Sequence, residues 1–391
     1  MKNDKPSTVT RRGALRTLGL AGSAALLVPT LVRAQTNGPA PASTVSMPPR
    51  DFSPGAPPAL YPDPDVLVVD PAFNGIRVFN STIQRLFTGA LWSEGPAWSS
   101  QGRYLVWSDI PNDRQLRWLE DDGRVTVFRQ PSNNSNGNTF DFQGRQVTCE
   151  HLTRRVVRYE NDGSVTVLAA AYDGKSLNSP NDVAPHPDGS YWFTDPPFGG
   201  QLYEGAPDVA GGPSNTDGRL QSRVGQRVGA GTSKRELPTN VYRVDAKGQV
   251  AIAIGANELP GAPNGVVFSP DYKKVYVVAN GDLYVGDVGT NGRASGIKRF
   301  AEMKVDGVAC RTDGVRADVY GNLWCSSNAG AAVGYNGVTV WNAAGALIGR
   351  IRLPEVCANV AFGGPKRNRL FMAASQSLYA VYVNTQGAAP G

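Results

Sequence analysis

The polar stretch Asn181-Asp182-Val183-Ala184 is followed by the turn Asp188-Gly189 and by the apolar run Tyr191-Trp192-Phe193-Thr194-Asp195. Two apolar runs separated by a glycine turn are typical of paired β-strands. The same pattern occurs six times along the chain. The other five copies begin at Glu94, Asn136, Asn264, Asp313 and Asn359. Most copies lie about 42–49 residues apart, close to the roughly 40–50 residues of a four-stranded propeller blade.

Further strands of the repeat are marked by short turns. Asp-Gly or Lys-Gly pairs stand at residues 122–123, 162–163 and 247–248, each ahead of an alternating apolar run. Such pairs are strong hairpin signals. We therefore predict an all-β fold, a six-bladed β-propeller over residues 61–385. Residues 66–76 and 83–87 precede the first copy, and we expect them to pair into the sixth blade and close the ring.

Two segments depart from the repeat. Residues 198–238 lie in the long gap between Asn181 and Asn264, and they are rich in Gly and Ser without apolar periodicity. We interpret them as an insertion in the third blade. Residues 35–60 are rich in Pro, Ala, Ser and Gly, which predicts a mobile arm or a wrapping segment.

The N-terminus has the pattern of an export signal. Arg11-Arg12 stands ahead of a mildly apolar stretch at 18–31, and Val32-Arg33-Ala34 offers a small-residue cleavage site. Residues 1–34 are therefore predicted to be a twin-arginine signal peptide. This predicts the twin-arginine export machinery as a partner and a periplasmic or secreted location. The stretch is shorter than the roughly 18–20 residues of a membrane span, so we expect no stable membrane anchor.

The signal segment also accounts for the charge of the chain. It holds six basic residues and Asp4, a net charge of +5, whereas the whole chain has +6. The remainder is therefore near +1, and no basic patch argues for nucleic-acid binding. Four cysteines and only two histidines match no zinc pattern, which favours free thiols in the core.

The residues that begin the six copies indicate a cation-binding site. The first strand of a propeller blade lines the central channel, so polar residues at its start point toward one end of the axis. Two carboxylates and several amide oxygens that converge there form an oxygen cage for a hard cation. The alternative is that Asn and Asp begin strands because they suit turns. Asn359 fits least well, because its register against the following apolar residues is off by one.

Four of these motifs resemble those of the senescence marker protein, gluconolactonase and luciferin-regenerating enzyme family. They are Ser93-Glu94-Gly95-Pro96-Ala97-Trp98, Ser179-Pro180-Asn181-Asp182-Val183, Pro263-Asn264-Gly265-Val266-Val267-Phe268 and Thr312-Asp313-Gly314-Val315. The segment from Cys149 to Val156 is similar to the bacterial gluconolactonase branch. The resemblance implies a six-bladed propeller, one divalent metal ion in the channel and hydrolysis of sugar lactones.

The resemblance also implies roles for individual residues. Glu94, Asn264 and Asp313 match metal ligands, and Asn181 matches a channel asparagine that contacts metal or substrate. The ion expected from the resemblance and the oxygen ligands is Ca²⁺ in preference to Zn²⁺. Asn136 and Asn359 occupy the same place in their own copies. We predict that these two, with Asn181, contact the substrate.

A hydrolytic mechanism needs a base for the attacking water. Asp313 or His151 could accept that proton, and a structural hydrogen-bonding role for His151 is the alternative. The chain has no G-x-S-x-G elbow that would supply a serine nucleophile. We therefore predict a metal-dependent lactonase that acts on a small lactone or ester.

Other readings of the same residues stay open. Within enzymes, they are another propeller esterase or a strictosidine-synthase-like enzyme. Outside enzymes, the chain would be a non-catalytic periplasmic propeller that binds a ligand or a protein around a structural metal.

Overall fold

A computed structural model of the chain describes residues 40–200 and 235–390. Six antiparallel sheets stand around a central channel, and the inner strand of each sheet contacts the inner strands of both neighbouring sheets. The fold is the predicted six-bladed β-propeller. Because the sheets stack face to face, their second strands are buried on both sides. Trp107, Trp192 and Trp324, in the second strands of blades one, three and five, are almost completely buried.

The strand bounds follow, from the channel outward. Blade one has Ser93–Ser99, Tyr104–Asp109, Arg114–Leu119 and Val125–Arg129. Blade two has Ser135–Phe140, Gln146–Glu150, Arg155–Tyr159 and Val165–Ala169. Blade three has Val183–Pro185, Tyr191–Thr194, Val241–Val244 and Val250–Ile254. Blade four has Pro263–Phe268, Lys274–Ala279, Asp282–Val288 and Ala294–Ala301. Blade five has Val315–Ala317, Leu323–Ser327, Gly337–Trp341, Leu347–Arg352 and Val66–Val68. Blade six has Cys357–Gly363, Arg369–Ala374, Ser377–Tyr382 and Gln84–Thr88.

Short elements join these strands. Two small hairpins pair Ala171–Tyr172 with Lys175–Ser176 and Lys304–Val305 with Val308–Ala309. The 3-10 helices described are Pro71–Gly75, Phe198–Gly200 and Ala256–Glu258. The segment 198–238 connects the second and third strands of blade three, and its residues 201–234 lie outside the described part of the chain.

The ring is closed by strands from opposite ends of the chain. Gln84–Thr88 pairs with Ser377–Tyr382 as the outer strand of blade six, as predicted. The prediction was wrong for the earlier segment, because Val66–Val68 pairs with Leu347–Arg352 in blade five. The cause is Phe73, a fully buried side chain that packs on Trp324 with ring centroids 6.0 Å apart. It fills the space that the missing side chain of Gly349 leaves in blade five.

Part of the Pro-rich segment packs on the propeller. Arg50 Nη1 donates to Asp63 Oδ1 over 2.7 Å, and the Thr44 N–H donates to Asp65 Oδ2 over 3.0 Å. Phe52 meets the ring of Tyr379 edge to face, with centroids 5.5 Å apart. Residues 44–52 therefore wrap against blades five and six, whereas 35–39 lie outside the described residues.

The four cysteines are buried and unpaired, as predicted. The predicted signal segment, residues 1–34, lies outside the described residues. Among the residues that are described, no helix is long and apolar enough to cross a membrane.

Candidate metal centre and active site

The six polar residues that begin the sequence repeat lie at one end of the channel. Each stands at the start of the inner strand of its blade or within two residues ahead of it. In order of blades they are Glu94, Asn136, Asn181, Asn264, Asp313 and Asn359. The structure therefore brings all the predicted metal and substrate residues to the same end of the channel.

Glycines following these residues let neighbouring blades approach closely. The Gly137 N–H donates to the Asn181 carbonyl over 2.7 Å, and the Gly265 N–H donates to the Asp313 carbonyl over 2.9 Å. A Cβ at Gly265 would stand 2.3 Å from the Asp313 oxygen, which is closer than atoms can pack. Backbone hydrogen bonds between neighbouring blades thus help to fix the spacing of the channel residues.

Blade six departs from the repeat by one residue. The Gly314 N–H donates to the Ala358 carbonyl over 2.8 Å, so Ala358 occupies the channel position and Asn359 the glycine position. From there, Asn359 Oδ1 accepts the Val360 N–H over 2.8 Å, and Asn359 Nδ2 donates to Glu94 Oε2 over 3.1 Å. Asn359 therefore does not occupy the same position as the other five residues, from which it was expected to contact the substrate. Its amide instead donates a hydrogen bond to the Glu94 carboxylate.

Glu94 is a buried acid of the channel whose protonation is strongly affected by its surroundings. Burial, and then the nearby Asp313 carboxylate, raise the pKa of Glu94 well above its usual value. The Gly95 N–H over 2.6 Å and the Asn359 amide oppose this shift by donating hydrogen bonds to Glu94. Two carboxylates that repel each other in a buried place favour either a proton or a cation between them.

Two of the asparagines that begin the repeat each have a side-chain oxygen without a hydrogen-bond partner among the described residues. Asn264 Oδ1 and Asn136 Oδ1 are buried and accept no hydrogen bond from any residue in the described ranges. Buried polar atoms are ordinarily satisfied, so unpaired oxygens beside two carboxylates fit a hard cation. No three His, Cys, Asp or Glu side chains within 40–200 and 235–390 are grouped so as to hold a metal. A cation here would therefore need the amide oxygens as ligands.

His151 stands in the wall of the same end of the channel. It is 1% exposed, and its Nε2 lies 3.4 Å from Nδ2 of Asn136. A Cβ added to Gly199 would come within 3.1 Å of the His151 Cβ, so the start of the blade-three insertion packs on the histidine. His151 is thus placed beside a predicted substrate residue.

An ion pair that the sequence does not indicate crosses the channel. Asp182 Oδ2 accepts from Arg316 Nη1 over 3.2 Å, although the two residues are in blades three and five. Asp182 Oδ1 also accepts the Val183 N–H over 3.0 Å, and its side chain is 1% exposed. Asp182 directly follows Asn181, but sequence spacing gives no signal for a partner 134 residues away.

A second missed carboxylate holds the turn ahead of Asn181. Asp195 accepts the backbone N–H groups of Asn178 over 2.8 Å and Ser179 over 2.9 Å. Burial raises the pKa of Asp195 to about 7, against the opposing effect of those two donors. Arg154 supports the same turn through the carbonyl oxygen of Asn178 over 3.1 Å.

A six-bladed propeller with carboxylate and amide oxygens gathered at one end of its channel defines a class of proteins that share this fold and this arrangement. Residues 92–376 match the SMP-30/Gluconolactonase/LRE-like region, and the chain belongs to this family.

Individual relatives agree with the assignment. The chain is 27% identical over 343 residues to a gluconolactonase of Zymomonas mobilis, covering 81% of this chain and 85% of the relative. It resembles the structure of a gluconolactonase from Xanthomonas campestris at 31% identity and a TM-score of 0.68, over 85% of this chain and 99% of the other. Regucalcin of Agrobacterium tumefaciens, a calcium-binding protein, shares the fold at 19% identity and a TM-score of 0.58, over 78% and 94% of the two chains.

Proposed function

We propose that this protein is a metal-dependent hydrolase that opens a sugar lactone or a related ester. Its family and its gluconolactonase relatives support a lactonase. The single observation behind the metal dependence is the unpaired Oδ1 of Asn264 at the same end of the channel as the repelling carboxylates Glu94 and Asp313.

The residues that would hold the ion are Glu94, Asn264 and Asp313, with Asn181 as a further ligand. All four present oxygen, which favours Ca²⁺, although Zn²⁺ also accepts carboxylate ligands. When bound, a divalent cation polarises a carbonyl and lowers the pKa of water.

The chain itself supplies the positioning and the proton transfer. Hydrolysis adds water to the lactone carbonyl carbon and breaks the ring C–O bond, and the proton lost by the water ends on the released hydroxyl. His151 is the proton carrier in this proposal, because a carboxylate bound to a cation is a weaker base. Asn136 and Asn181 would orient the substrate at the channel wall.

The experiment is hydrolysis of gluconolactone by the full chain, with and without chelator. We expect turnover to disappear after metal removal and to return with Ca²⁺ or Zn²⁺. Lactones of different ring size and a chromogenic ester would then define the substrate class. Stoichiometric metal without turnover of any of these substrates would favour the non-catalytic binding propeller instead.

We further propose that the protein is exported by the twin-arginine route. The support is the Arg11-Arg12 pair ahead of a short, weakly apolar stretch. This places the proposed hydrolase in the periplasm or outside the cell.

A further inference from the structure

A cavity of about 40 Å³ lies at the end of the channel opposite the candidate metal centre. The metal-centre residues begin the inner strands, whereas this cavity is lined by later residues of the inner strands of blades one, two, five and six. Residues near the C-terminus, such as Pro390, complete its wall. Arg316 is part of the lining, and its bond to Asp182 places a guanidinium across the channel between the two ends.

The unsatisfied polar groups of this cavity are donors. Arg367 and Trp98 both line it. Arg367 Nε and Trp98 Nε1 are buried, and neither has a hydrogen-bond partner among the described residues. Arg367 forms no ion pair with any residue of the described ranges, whereas Arg316 is already paired with Asp182.

The Arg367 guanidinium is in an unfavourable environment, because it has neither a counter-charge nor a hydrogen-bond partner for its Nε among the described residues. Arg367 is partly buried, and this burial lowers the pKa of its guanidinium. A partly desolvated charge without a counter-charge is unfavourable, and arginine does not relieve this by losing its proton. A ligand with negative charge would supply the missing counter-charge, and its oxygens would accept hydrogen bonds from the unpaired N–H groups.

The size of the cavity restricts that ligand. The cavity is small, about 40 Å³, which suits a small anion with a few waters. A planar guanidinium fork suits the oxygens of phosphate and carboxylate groups.

We propose that this cavity binds one small oxyanion of the phosphate or carboxylate class, with Arg367 as its main partner and Trp98 Nε1 as a second donor. The site is separate from the proposed lactonase centre. Its occupancy therefore does not depend on whether the protein hydrolyses lactones.

The test is isothermal titration calorimetry of the full chain with sodium phosphate, and then with sodium acetate, at an ionic strength held constant with NaCl. We expect one saturable site for at least one of the two anions. Arg367→Gln should weaken that Kd at least tenfold. The matched control Lys366→Gln removes a neighbouring exposed charge and should change Kd less than twofold.

Arg367→Lys keeps the charge and loses the planar fork, so its Kd should fall between those of the wild type and Arg367→Gln. Circular dichroism verifies the fold of each variant. If Arg367→Gln does not fold, Arg367→Lys decides the question, and a Kd within twofold of the wild type overturns the proposal. Absence of binding by the wild type for both anions, or an unchanged Kd in folded Arg367→Gln, also overturns it.

Discussion

The amide nitrogen of Asn359 donates to the Glu94 carboxylate over 3.1 Å, joining the last inner strand of the propeller to the first. The bond spans 265 residues of sequence. It holds one oxygen of a carboxylate whose charge is disfavoured by burial and by Asp313. The candidate metal centre therefore stands at the seam where the two ends of the repeat meet.

Neutralising either carboxylate should abolish metal binding. We expect Glu94→Gln and Asp313→Asn each to lose stoichiometric Ca²⁺ or Zn²⁺ in elemental analysis while keeping a cooperative β-rich unfolding transition. Metal-free Glu94→Gln should also melt at a higher temperature than the metal-free wild type at pH 7, because the charged Glu94 is disfavoured there. Asp122→Asn, in an exposed hairpin turn, is the control. Full metal content in both channel variants would exclude this set of ligands.

His151→Asn should separate binding from proton transfer. If His151 is the base, the variant keeps its metal and loses roughly 10²–10⁴-fold in kcat, and the acidic limb of the pH–rate profile changes. If Asp313 is the base, neither the rate nor that limb changes much. The control is His186→Asn, since His186 packs on Phe268 at a turn of blade three. A wild-type kcat and pH profile in His151→Asn would remove this residue from the mechanism.

Asp195 should make the stability of the protein depend on pH. Its pKa is about 7 in the folded state, compared with 3.8 as the ordinary value, so the folded protein binds this proton more tightly than the unfolded chain. Stability from this group is therefore present below about pH 4 and is lost as the pH rises through about 7. The slope reaches at most about 1.4 kcal/mol per pH unit between those limits.

Urea unfolding of wild type and Asp195→Asn from pH 4 to pH 8 measures this slope. The variant should show a flatter dependence, since it has no proton to lose at that position. Parallel curves for the two proteins would mean that Asp195 is not the group responsible.

The close backbone contact between blades four and five should tolerate no side chain at Gly265. Alanine there would bring Cβ to 2.3 Å from the Asp313 carbonyl, and backbone atoms cannot move away cheaply. We expect Gly265→Ala to lower the free energy of unfolding by about 2 kcal/mol or more and to weaken metal binding. Gly75→Ala, where no atom lies within 4 Å of the added Cβ, should change stability by less than about 0.5 kcal/mol. Equal stabilities of the two variants would contradict this account.

Export should depend on the arginine pair. Replacing both Arg11 and Arg12 with Lys should leave the precursor in the cytoplasm, because the export machinery reads the pair itself and not only its charge. Cell fractionation with an antibody against the chain gives the measurement. Arg16→Lys, in the same segment, should be exported normally. Periplasmic delivery of the double variant would argue against this route.

The fold could be predicted from local signals. Turns such as Asp188-Gly189 mark where strands end, and the repeat length sets the number of strands in a blade. The placement of residues 66–68 was wrong, because it depends on Phe73 finding space at Gly349, a contact between distant parts of the chain. Local pattern does not contain that information.

The gathering of the candidate site residues at one end of the channel could also be predicted from the repeat. Glu94, Asn264 and Asp313 occupy equivalent positions of the sequence repeat. Because equivalent positions of a propeller face one axis, the three residues are predicted to lie near one another. The one-residue offset at Asn359 was visible, but its consequence, a bond to Glu94, required coordinates. The Asp182–Arg316 pair was missed because it joins non-equivalent positions of blades three and five.

The pairing of Gln84 with Ala380 also has a consequence for biosynthesis. A ribosome adds roughly 5–20 residues per second. The outer strand of blade six is therefore synthesised roughly 15–60 seconds before the three strands with which it forms a sheet. During that interval, the strand Gln84–Thr88 exposes backbone N–H and C=O groups that have no partner strand yet in the growing polypeptide. Blade six can therefore be completed only after residues 377–382 have been synthesised, and a nascent chain stalled before residue 377 should remain an easy target for proteases and chaperones.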